Sequence, residues 1–169
     1  MLPGRIARWM RPLLTVCLSA TAVVLGFGVQ AATEPAIEVG DPFPVWELTD
    51  QFDETHQLPG ESTQVIVFVR SKQADETLAP VLESAVAESL GNGEVVYVSD
   101  ISRMPGLISR LFALPALRDR SYPVVLVREE GVSAPLVTRT DCLALYRIER
   151  GTVAAREALC TEKDVTAAF

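Results

Sequence analysis

The chain is poor in the side chains that most enzyme sites use. It has one histidine, His56, and three cysteines, none of them between Cys17 and Cys142. Zinc and copper sites usually need several His or Cys ligands, so a lone imidazole argues against them. No nucleophile motif accompanies His56, which removes a Ser-His-acid triad and leaves it reading as a solvated residue. The acids Asp50, Asp53 and Glu54 cluster without calcium-loop spacing, so neither a metal nor another cofactor is expected. Basic charge is also short. With 15 Lys and Arg against 22 Asp and Glu the chain carries −7, an unfavourable balance for nucleic acid or anionic lipid. There is no internal repeat or low-complexity tract, and no second apolar run long enough to cross a bilayer follows the first.

That first run is at the N-terminus. Arg5, Arg8 and Arg11 precede an uncharged stretch from Leu13 to Val29, and Val29-Gln30-Ala31 supplies a small-residue exit. These are the three parts of a secretory signal peptide, with cleavage expected after Ala31. About 17 apolar residues is the lower limit for a retained anchor, and Gly26 and Gly28 weaken that alternative. A lipidation box at Cys17 fails because the residue before it, Val16, is not small. Removing residues 1–31 takes away three arginines and no acids, so −7 becomes −10. The expected organisation is a leader (1–31), a polar lead-in (32–38) and one domain (39–169). A soluble periplasmic or secreted protein follows, with no membrane contact after cleavage.

In the domain, Val45 to Thr49 follows two prolines and suits an outer strand, a turn covers Asp50 to Glu54, and Thr55 to Leu58 returns. Gln64 to Arg70 and Glu94 to Ser99 read as strands buried on both faces. Between them Leu78, Val81, Leu82, Ala85, Val86 and Leu90 recur at helical spacing, and Gly91-Asn92-Gly93 stops the helix. This β-α-β unit requires parallel neighbours. A second helix is expected with Ser102 as its cap, Leu107, Ile108, Leu111 and Phe112 on its apolar face, and a stop or kink at Pro115. Arg103, Arg110, Arg118 and Arg120 read as its solvated side, with an acidic partner segment as the alternative. A proline-led strand, Tyr122 to Val127, comes next. Two β-like runs around Arg150-Gly151 form a hairpin, and Thr161 with Asp164 opens a terminal helix.

Cys142 and Cys160 are an even pair in an exported chain, so a disulfide is expected. If Arg150-Gly151-Thr152 is the loop, the two cysteines stand opposite each other, and a two-residue loop shifts the pairing by one. The crosslink would stabilise the fold by about 3 kcal/mol in the loop-entropy picture. The alternative is a redox-active pair, which disagrees with the close sequence spacing of active dithiols.

The order of elements, together with Val39-Gly40-Asp41-Pro42-Phe43-Pro44, Leu48-Thr49-Asp50, Leu78-Ala79-Pro80 and Tyr122-Pro123, resembles the thioredoxin-like superfamily, in its secreted redoxin branch. The resemblance covers most of residues 39–169. It implies an α/β three-layer sandwich, a central mixed sheet with helices on both faces, and a cis bond at Tyr122–Pro123. Counting back from Pro80, it places the C-x-x-C motif on Lys72, Gln73, Ala74 and Asp75. Disulfide exchange and peroxide reduction both require a thiolate, so neither is expected there. Lys72 and Asp75 could replace it as an acid–base pair, but nothing nearby completes a catalytic set. The plainer reading is an exposed ion pair worth under about 1 kcal/mol. The resulting expectation is a non-catalytic binding or scaffold protein that meets an envelope partner through Arg70 to Asp75 and the Tyr122–Pro123 loop. Its rival is a thiol-disulfide oxidoreductase using Cys142 and Cys160.

Overall fold

The computed structural model describes residues 36–136 and 139–169, so the expected leader and most of the polar lead-in lie outside the described residues. In chain order the elements are β1 (Trp46–Asp50), β2 (Thr55–Leu58), β3 (Val65–Val69), α1 (Lys72–Gly91), β4 (Val95–Asp100), α2 (Gly106–Ile108), a π-helical turn (Ser109–Ala113), α3 (Leu114–Arg118), β5 (Val124–Val127), β6 (Leu143–Glu149), β7 (Thr152–Leu159) and α4 (Glu162–Ala168). The strands form one mixed sheet in the order β2-β1-β5-β4-β3-β6-β7. The three near-continuous apolar runs lie side by side at its centre. β3 and β4 pair in parallel from Val65–Val95 to Val69–Ser99, and β4 pairs in parallel with β5 from Tyr97–Val124 to Asp100–Val127. Among the described residues no helix is long and apolar enough to cross a membrane.

Alternation along the strands separates two cores. Val65, Val67 and Val69 pack with Leu78 and Leu82 of α1, Leu114 and Leu117 of α3, and Val165 of α4. Ile66 and Phe68 face the other way, onto Ile37, Phe43 and Leu136 from irregular segments. The expectation of helices on both faces is therefore corrected: α1, α3 and α4 share one face. The crossovers β3-α1-β4 and β4-α3-β5 step in the same direction across the sheet, so their common handedness places both on one side. Val132 and Leu136 of the β5–β6 connection help cover the opposite face, and among its described residues there is no helix.

The C-terminal hairpin resolves the pairing question. Arg150 and Gly151 form a two-residue loop with φ of 52° and 77°, the backbone geometry of tight hairpins. Glu149 therefore pairs with Thr152, but an irregularity at Arg147/Ile148 shifts the register, and Leu143 pairs with Leu159. One residue further on, Cys142 meets Cys160 in a disulfide with a Cα–Cα distance of 4.1 Å. Thr161 and Asp164 make the expected capping box at α4.

Three expectations fail locally. Ser102 does not cap the second helical segment; Pro105 stands before it, and Ser102 turns to Asp100 instead. Pro115 lies in the first turn of α3, where its missing N–H costs nothing, and the helix continues to Arg118. The Tyr122–Pro123 bond is trans, and the cis X-Pro bond among the described residues is Leu58–Pro59. Trans is the lower-energy isomer. Here the buried Gln51 amide satisfies the backbone on both sides of Pro123: Nε2 donates to the Tyr122 carbonyl at 2.9 Å, and Oε1 accepts from Val124 N–H at 2.7 Å.

Candidate functional site

Where β3 and β4 end, a cleft of about 610 Å³ opens between the first turn of α1 and the helical segment 106–118. Crevices at the carboxyl ends of parallel strands are the usual ligand positions of α/β sheets. Arg70, Asp75, Asp100 and Arg120 supply much of its polar lining, and Met104, Ile108, Phe112 and Leu117 much of its apolar lining.

Asp100 is buried at the end of β4 and saturated with donors. Ser102 gives it a backbone N–H at 3.0 Å and a hydroxyl at 2.6 Å on Oδ1. Ser133 Oγ (2.6 Å) and Arg70 Nε (3.0 Å) reach Oδ2. Burial alone would raise its pKa, but these bonds outweigh burial and hold the carboxyl below the usual range. Arg70 also donates to Ser133 Oγ at 3.0 Å and lies over the Phe68 ring at 5.4 Å. The arrangement pins the β5–β6 connection to the ends of β3 and β4.

The second cluster starts at the degenerate motif. Ser71 caps α1, accepting from Ala74 N–H, which places Lys72 and Gln73 in solvent and buries Ala74. Lys72 pairs with Glu76 at 3.2 Å, both well exposed, rather than with Asp75. Asp75 turns inward, accepting from the Tyr97 hydroxyl at 2.7 Å and from Arg120 Nη2 at 3.1 Å. Arg120 Nη1 in turn donates to the Tyr122 hydroxyl at 3.1 Å. Burial, then the Asp75 charge, pushes the Tyr97 phenol well up. Burial also pushes Tyr122 up to about 12, partly opposed by Arg120. Neither phenol ionises near neutral pH, so the acid at the motif's fourth position is held by fixed donors and a guanidinium.

Tyr122 and Pro123 do not share this mouth. β5 runs parallel to β4 with Val124 opposite Tyr97, so Pro123 lies toward the starting end of β4, away from Asp100 and the α1 cap. Only the Tyr122 ring reaches the cluster, edge-on to Tyr97 at 6.0 Å. The expected contact face from Arg70 to Asp75 plus the Tyr122–Pro123 loop is thus divided, and the cleft's second wall is the helical segment. His56 is half-buried rather than solvated: its Nε2 lies 2.9 Å from Asp50 Oδ2. Asp50, Glu54 and His56 place one donor atom each within 4.8 Å of one another. Asp50 Oδ1 also accepts from Phe52 and Glu54 N–H, so its carboxylate closes the β1–β2 turn.

Neither a family model nor a curated protein sequence matches the chain. Solved structures do. A thio-disulfide isomerase from Thermus thermophilus aligns at 22% identity and TM-score 0.53, covering 78% of this chain and 94% of its own. The thioredoxin domain of a thiol-disulfide oxidoreductase from Bacteroides vulgatus aligns at 12% identity and TM-score 0.53, covering 79% and 96%. A peroxiredoxin-like protein from Aquifex aeolicus aligns at 13% and 0.51, covering 75% and 79%. The chain is an α/β protein with a thioredoxin-like fold. On that fold, residues 72–75 hold Lys-Gln-Ala-Asp, and the described cysteines are joined between β6 and β7.

Proposed function

We propose that this chain is an exported, non-catalytic thioredoxin-like protein that serves in the periplasm as a binding or scaffold component for an envelope protein. The observation that carries this reading is Asp75, a carboxylate locked to Tyr97 and Arg120 where the resemblance calls for a thiol. Without sulfur at that position neither a mixed disulfide nor a sulfenate forms there. The disulfide's surroundings favour a crosslink over exchange. Cys142 is fully buried, and the Asp164 carboxylate accepts from Cys160 N–H at 3.1 Å. The Asp141 carboxylate Oδ1 lies 3.5 Å from Cys142 Sγ, and negative charge beside a sulfur disfavours the thiolate that exchange needs.

The test is insulin reduction and peroxide consumption by the full chain, with Cys142→Ala/Cys160→Ala as the control. Equal, background rates are expected. Turnover by the wild type alone overturns the reading and assigns the chemistry to the hairpin. Export is checked by mass spectrometry of periplasmic protein, which should begin at or near Ala32. Recovery only from detergent-solubilised membrane with residues 1–31 intact replaces export with anchoring.

A further inference from the structure

The apolar face of the second helical segment points outward. Leu107, Ile108, Leu111 and Phe112 are 70%, 46%, 59% and 67% exposed, four of the eight exposed large apolar side chains among the described residues. Ile108 and Phe112 line the cleft, and Leu107 and Leu111 carry the apolar surface beyond its rim. The π turn at Ser109–Ala113 accounts for the outward face: its extra residue rotates the register, so Leu114 and Leu117 reach the core instead. Apolar surface gathered in this way marks an interaction site, and π turns recur at functional positions.

Charge identifies the occupant. Each acid lining the cleft has a cationic partner: Asp75 with Arg120, Asp100 with Arg70, and Glu76 with Lys72. Arg103 and Arg110, both exposed beside the apolar face, have no ion pair among the described residues. An acidic chain thus presents a local surplus of positive charge around its apolar patch. We infer that the face formed by Arg103, Leu107, Ile108, Arg110, Leu111 and Phe112 docks an amphipathic, acidic segment of a partner protein. The segment's apolar side chains enter the cleft beside Phe112, and its carboxylates meet the two arginines. A second copy of this chain would bring the same two arginines with no unpaired cleft acid to meet them. An anionic bilayer would face the chain's overall acidic surface. The inference rests on the binding role proposed above and names the chemistry of what is bound.

The experiment uses the full chain and two labelled synthetic helical peptides, each with Leu and Phe on one face, one flanked by Glu and the other by Lys. Fluorescence anisotropy should show binding of the Glu peptide alone. Leu111→Asp/Phe112→Asp should weaken it about tenfold or more, as expected for a central apolar anchor. Arg103→Glu/Arg110→Glu should invert the preference, favouring the Lys peptide. Thermal melts confirm that these surface variants fold. Failure of both peptides to bind, equal binding of both, or indifference to the charge inversion overturns the inference. Binding to phosphatidylglycerol vesicles, or self-association, abolished by the same substitutions in place of peptide binding also overturns it. None of these outcomes touches the thiol assays, so a failure here leaves the non-catalytic reading standing, and turnover there leaves this surface to be judged by its own titrations.

Discussion

Reducing the Cys142–Cys160 disulfide should lower stability without unfolding the domain at room temperature. The bridge spans a sequence separation of 18, and closing a loop of that size removes about 3 kcal/mol of chain entropy from the unfolded state. Two features reduce this figure. The crosslinked ends are already opposed across the β6–β7 hairpin, and its tight Arg150–Gly151 loop favours residual pairing in the unfolded chain. A net loss of about 2–3 kcal/mol remains. For a domain of this size, with an unfolding entropy of roughly 2 cal/mol/K per residue, that corresponds to a Tm about 7–11 °C lower. Calorimetry of oxidised wild type, reduced wild type and Cys142→Ala/Cys160→Ala measures it. The last two should agree to within a few degrees, because Cys142 is fully buried and alanine leaves no buried hydroxyl. A reduced protein melting within about 2 °C of the oxidised form would refute the loop-entropy reasoning.

Asp100→Asn should destabilise the domain by about 2–3 kcal/mol, read from urea melts, because it removes the charged acceptor of four donors while Arg70 stays half-buried. The pKa values of Asp50 and Asp100 are held below their ordinary value in the fold: burial raises each, but the hydrogen bonds from His56 and from Ser102, the largest of the opposing causes, outweigh it together with the others. Their contribution is complete above the unfolded carboxylate value and is lost as pH falls through the depressed folded values, so Tm should drop steeply below about pH 4. Asp100→Asn should flatten that slope, and an unchanged slope would count against the assignment. Lys72→Ala should shift Tm by less than about 1 °C, since its pair with Glu76 is solvent-exposed. Asp75→Asn should cost about 1–3 kcal/mol by leaving Arg120 without its counter-ion.

The fold was legible where residues depend on near neighbours. Val65–Val69, Val95–Asp100 and Val124–Val127 carry apolar runs that only a central strand buries on both sides, and all three are there. The Cys142–Cys160 pairing was legible as one of two registers, because the irregularity at Arg147/Ile148 that decides between them leaves no mark in hydrophobic pattern. The covering of the sheet was less legible. Which face a helix takes follows from the direction in which successive crossovers step, a property of strand order rather than of any segment. Tyr122–Pro123 illustrates the same gap: a proline at the head of an apolar run was recognised, but its strand pairs with β4 and β1, so it heads the wrong strand to flank the α1 cap.

The site was legible as an absence. Without cysteine in residues 72–75, exchange chemistry at that position could be excluded, but what replaced it depended on residues far apart in sequence. Asp75 finds Tyr97 and Arg120 at separations of 22 and 45 residues, and Asp100 finds Ser133 at 33. Periodicity located the apolar face of the second helical segment but left its direction open. The spacing of Leu107, Ile108, Leu111 and Phe112 describes an apolar face correctly, but a face has no intrinsic direction. The π turn gives the core contacts to Leu114 and Leu117, and the longer apolar stripe faces solvent beside Arg103 and Arg110, which have no ion pair among the described residues. The cost of exposing that stripe is borne by the free protein and relieved only when something covers it, so the segment with the most exposed apolar surface is also the one where binding has most to gain.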